Sequence, residues 1–156
     1  KSESAFSVQP VGLPIRFGRL VIDNSYGPET VDLPLTLHSQ YWSGSAYIEN
    51  TDDSCTPYNV TPIANGILDN AGLNPALDPT KTSSVGVDTL IRGENIMLLT
   101  KPSDGSQGQV RYTYEKTPIW LQFDWNSDGN YNNNAAGIGA FGLFRGNDRI
   151  ISWREK

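Results

Sequence analysis

The 156-residue sequence contains one cysteine, one histidine and one methionine: Cys55, His38 and Met97. Each scarcity removes a kind of chemistry. Zinc sites built from Cys and His need several such ligands and cannot be assembled from this inventory. A single cysteine cannot close an internal disulfide, so Cys55 is either a small apolar packing residue or the partner of a cysteine outside this sequence. A Ser-His-Asp or Cys-His nucleophile would have to run through His38, and the serines near glycine in WSGSAY at 42–47 do not form a G-x-S-x-G elbow. Nucleophilic hydrolysis is not expected, and the chain reads as non-enzymatic.

Basic residues are absent from one long stretch. No Lys or Arg lies between Arg19 and Lys81, while Asp23, Glu29, Asp32, Glu49, Asp52, Asp53, Asp69 and Asp78 all fall there. With a formal charge of -5 and a pI near 4.7, the chain lacks the basic footprint that phosphate binding requires, so no nucleic-acid partner is expected. The acidic stretch reads as a solvated face or as an attraction for metal cations or a basic partner surface. Apolar runs are short as well, none approaching the ~18 residues of a membrane span, so no membrane insertion of this domain is expected. The abrupt opening KSESAFSV has no charged, apolar and small-residue leader and reads as part of a longer protein.

What remains is a β pattern. Short β-branched and aromatic runs recur between turn residues, without sustained helical periodicity. Candidate strands are 15–22, 30–37, 41–48, 85–91, 96–99, 109–115, 119–125, 138–144 and 149–153. In the sixth, Val110, Tyr112 and Tyr114 alternate with Arg111, Thr113 and Glu115. Ile119, Leu121 and Phe123 likewise alternate with Trp120 and Gln122 in the seventh. The expected fold is an all-β antiparallel sandwich of about 8–10 short strands, filling residues 1–156 as one domain. Residues 50–84, rich in Asn, Asp, Pro and Thr, read as a long irregular loop region, within which PIANGILDNAGL at 62–73 is open to a helical turn or a short irregular strand pair.

One motif has metal-ligand spacing. In DWNSDGNYNNN, Asp124, Asn126 and Asp128 precede Gly129, matching the first half of a calcium loop in which oxygens at positions 1, 3 and 5 converge. The Asn130 carbonyl and Asn132 would add oxygens, but position 12 is Ala135 where a bidentate Glu is needed. Asp148, or the Asp52–Asp53 pair, is the expected completing carboxylate for a structural Ca2+. The alternative is a metal-free turn, because Asp, Asn and Gly also close ordinary loops through their own side chains. Trp125 lies inside this polar loop with nothing pulling it inward, which makes it the candidate glycan contact among the tryptophans. Asp52 and Asp53 could suggest glycoside hydrolysis, but neighbours on an extended chain point to opposite faces.

Three stretches carry a resemblance: RFGRLVIDNSYGPE at 16–29, WSGSAYIENTDDSCT at 42–56, and FDWNSDGNYNNNAAGIGAFGLFRGNDRIISWRE at 123–155. Together they resemble the C-terminal region of the MshQ-like proteins, associated with biogenesis of the mannose-sensitive haemagglutinin type IV pilus. The resemblance implies a C-terminal domain of a large exported Gram-negative surface or pilus-linked protein. Its partners would be other domains of that protein or pilus components. In that oxidising compartment an external partner for Cys55 becomes reasonable. The expected function is a calcium-stabilised, non-enzymatic module serving assembly or adhesion. Its alternative is a carbohydrate-binding module, and pairing through an exposed strand edge is a third route to assembly.

Overall fold

The structure, a computed structural model, describes residues 16–60 and 66–143. Ten strands form two layers: β1 Gly18–Ile22, β2 Ser25–Gly27, β3 Leu33–Trp42, β4 Tyr47–Glu49, β5 Pro57–Val60, β6 Gly66–Asp69, β7 Ser84–Thr89, β8 Glu94–Leu99, β9 Gly108–Tyr114 and β10 Ala136–Phe141. The larger sheet runs β1-β3-β8-β7-β5, with β4 also paired to β3, and the smaller runs β2-β10-β9-β6. All pairings between these strands are antiparallel except β10 with β2, which is parallel. The expected all-β sandwich is the fold.

Alternation creates the core. On β3, Leu33, Leu35 and Leu37 point inward, met by Met97 and Leu99 of β8 and by Leu20 and Ile22 of β1. The facing layer contributes Val110, Tyr112 and Tyr114 of β9 and Phe141 of β10. Burying such side chains provides roughly 1.5–3 kcal/mol each before entropy is set against it. Gly139 of β10 lets the sheets approach, since a Cβ there would lie 2.4 Å from Leu99 Cδ1.

Three sequence expectations change. The 50–84 region is not a continuous loop, because its described residues contain β5, β6 and a 3-10 turn, Pro79–Lys81, capped by Asp78. Residues 119–125 are not a strand: Ile119–Leu121 is a 3-10 turn following Pro118, and only Leu121 of the three is buried. Tyr41 and Trp42 end β3, so the candidate strand 41–48 divides between β3 and β4. The candidate strand 149–153, with Trp153 and Asp148, lies outside the described residues.

Candidate ligand-binding site

The 124–133 segment closes on itself through side-chain to backbone bonds. Asp124 accepts from the amides of Asp128 (2.9 Å) and Gly129 (3.0 Å), and Asp128 accepts from the amide of Asn130 (2.8 Å). The Asn126 side-chain amide donates to Asp128 Oδ2 at 3.0 Å. The Asn130 amide first, then the Asn126 side chain, hold the Asp128 carboxyl below its ordinary range. Asn133 Oδ1 accepts from the amide of Trp125, and Phe123 and Asn133 form an isolated bridge. Among the described residues Asn132 contributes only a long contact, accepting from Asn133 at 3.5 Å.

The structure therefore brings Asp124, Asn126, Asp128 and Asn130 into one turn. Among the described residues no group of three His, Cys, Asp or Glu side chains gathers in a way that could hold a metal ion. The Asp52–Asp53 pair is engaged elsewhere. Asp52 pairs with Arg16 at 2.9 Å, while Asp53 is buried and accepts from the Thr56 hydroxyl (2.7 Å) and amide (3.0 Å). His38 is bracketed by Glu49 on Nδ1 and Asp23 on Nε2, so these two carboxylates sit at opposite ring nitrogens and do not converge.

Trp125 is 42% exposed but committed on its inner side. Its ring centroid lies 4.9 Å from that of Phe123, and the Arg19 guanidinium lies 5.2 Å from it. Phe123 in turn packs edge-on to Tyr47 and Tyr131, and Phe17 packs on Tyr131. Edge-to-face aromatics and a stacked guanidinium thus fasten the loop to the outer face of the larger sheet.

Trp120 stands differently. It is 71% exposed, and the neighbouring Ile119 is 81% exposed. The turn that raises them is seated by Leu121, whose Cδ2 would be 3.0 Å from a Cβ at position 18, so glycine there admits the close approach. Trp120, Arg16 and Gly18 line two adjoining clefts of about 350 and 410 Å3. These volumes fall at the small end of the ~300–1,000 Å3 typical of small-molecule sites. Asn50, Asp52, Asp53 and Cys55 line the first cleft, and Phe17, Gln122 and Tyr131 the second.

Arg16 is pre-oriented between these clefts. Its Nη1 donates to Asn50 Oδ1 at 2.9 Å and pairs with Asp52 Oδ2 at 2.9 Å, and its guanidinium lies 4.2 Å from the Tyr41 ring centroid. Among the described residues its other nitrogens and Asp52 Oδ1 form no hydrogen bond. An apolar platform beside fixed donors and acceptors is the arrangement that binds a small polar ligand with apolar faces. Sequence reasoning missed Trp120 because a period-2 reading of 119–125 made it one face of a strand; the Thr-Pro pair at 117–118 was the available signal for a turn.

No helix of the described residues is long and apolar enough to cross a membrane. Comparisons with curated proteins and with solved structures return no match. The family model described as DUF6701, fourth domain, matches residues 16–156. With nearly the whole sequence inside that match, the chain belongs to the DUF6701 fourth-domain family.

Proposed function

We propose that this domain is a non-enzymatic attachment module of an exported bacterial surface protein and that it attaches by binding carbohydrate. One observation carries the reading: the exposed Trp120 indole stands between two clefts that share the fixed Arg16 guanidinium. Pyranose rings have apolar C–H faces and polar edges, so they match an aromatic platform flanked by hydrogen-bonding groups. The resemblance to MshQ-like proteins supports an extracellular or pilus-associated location, with neighbouring domains or pilus components as further partners. Cys55, exposed on the first cleft, is accessible to a partner cysteine in such a compartment.

Calcium belongs to the same reading as a structural ion at the Asp124–Asp128 turn. Its support is the spacing of Asp124, Asn126 and Asp128 around Gly129, whose φ of +84° gives the sharp turn. Two carboxylates imply weak binding, near 0.1–1 mM, roughly the range of extracellular modules.

A glycan array probed with the wild-type domain and with Trp120→Ala tests the function, with a melting curve as the control for folding. Saturable binding that is lost on substitution is the expected result. Silence of the folded wild-type domain on every glycan removes the reading.

A further inference from the structure

Resting on the carbohydrate reading, we infer that the Arg16–Asp52 pair makes the cleft selective for a neutral pyranose, its vicinal hydroxyls bridging the pair while its C–H face lies on Trp120. The pair is built for this. Asp52 uses Oδ2 to pair with Arg16 and leaves Oδ1 without a hydrogen bond among the described residues. Arg16 spends Nη1 on Asn50 and Asp52 and, among the described residues, keeps donors on Nε and Nη2. A diol that donates one O–H to Asp52 Oδ1 and accepts from Arg16 completes both groups. Such charge-assisted bonds are roughly twice as strong as neutral ones.

Charge decides against an acidic sugar. Among the described residues Asp52 and Asp53 both line the first cleft against one cation, Arg16, and the chain as a whole carries -5. A uronate carboxylate brought to Asp52 meets like charge, and Arg16 is already neutralised by its partner. Cys55, the chain's single cysteine, lines the same cleft and serves as an occupancy reporter.

The test is titration of the wild-type domain, Trp120→Ala, Asp52→Asn and Arg16→Met with mannohexaose, cellohexaose, xylohexaose and hexagalacturonate. Tryptophan fluorescence and the rate of Cys55 alkylation are the readouts, and melting curves control for folding. At least one neutral hexasaccharide is expected to bind saturably and slow Cys55 alkylation, while hexagalacturonate does neither. Asp52→Asn and Arg16→Met are each expected to weaken that binding about tenfold or more, the equivalent of one lost strong polar contact. Tighter binding of hexagalacturonate overturns the inference. So does neutral-sugar binding that is lost in Trp120→Ala but unchanged in Asp52→Asn, and both outcomes leave the carbohydrate reading standing. If no glycan binds the folded domain on the array, that reading falls and this inference with it.

Discussion

The guanidinium of Arg19 lies 3.9 Å from the centroid of the Tyr47 ring, on the outer face of the larger sheet. Phe123 at 5.1 Å and Trp125 at 5.2 Å bring the loop over the same cation, and Arg19 Nε donates to Gln40 Oε1 at 2.9 Å. One side chain of β1 therefore joins β3, β4 and the 123–131 segment. Partial burial lowers the Arg19 pKa and raises that of Tyr47, with no change of charge near neutral pH.

Arg19→Ala is expected to cost about 1–2 kcal/mol in chemical denaturation and to red-shift Trp125 emission as its inner side meets water. Arg19→Lys recovers only part, because a lysine lacks the planar face that stacks on three rings.

Gly18→Val is expected to destabilise by about 1–3 kcal/mol, since the new side chain collides with Leu121 and the carbonyl of Gln40. The turn carrying Trp120 must then shift, so glycan binding is expected to fall more than stability does. Binding measured at a temperature where the variant is fully folded separates the two.

Acid is expected to destabilise the domain through its hydrogen-bonded aspartates. Burial is the largest single influence on Asp53 and opposes ionisation, but its hydrogen bonds, those from Thr56 foremost, together outweigh it and hold the carboxyl below its ordinary value. Asp104, bonded to the Ser106 hydroxyl and amide, is held down to about 2. A folded-state pKa below the unfolded one stabilises above the ordinary carboxylate range of about 4, and that stability is lost as pH falls through the lowered value. Melting temperature is therefore expected to drop between about pH 4 and 2. Asp53→Asn should cost about 1–3 kcal/mol at neutral pH, and the difference from wild type should shrink in acid.

Calcium at about 10 mM, near ten times a dissociation constant of ~1 mM, is expected to add roughly 1.4 kcal/mol and raise the melting temperature by about 3–5 °C. Asp124→Asn should abolish the response. An identical melting curve with calcium and with chelator removes calcium from the proposed function.

The sequence was most informative where alternation was long. Val110, Tyr112 and Tyr114 point inward as their pattern required, because a seven-residue strand buried on one face leaves no other register. β2 was illegible: Ser25–Gly27 lies between the candidate strands 15–22 and 30–37, and only parallel pairing with β10, more than a hundred residues away, makes it a strand. β5 was hidden for a similar reason, being four residues in Asn- and Pro-rich surroundings and held by β7, while β6, held by β9, fell in the 62–73 piece that was open to a short strand pair. At the site, the Asp124–Gly129 turn was visible as a local motif. The cleft was not, because Arg16, Asp52 and Trp120 are distant in sequence and come to one cleft only in the fold, where Leu121 sits against Gly18. Trp125 drew attention by its polar neighbours, yet those neighbours say nothing about Arg19 and Phe123 packing on its inner side.

That distinction yields the most direct test of the proposed site: calorimetric titration of Trp120→Ala and Trp125→Ala with the best neutral glycan from the array. With the platform at Trp120, the first variant is expected to show no measurable binding, while the second keeps affinity within about threefold of wild type. Full binding by Trp120→Ala, with binding lost in Trp125→Ala, would contradict the site assigned here.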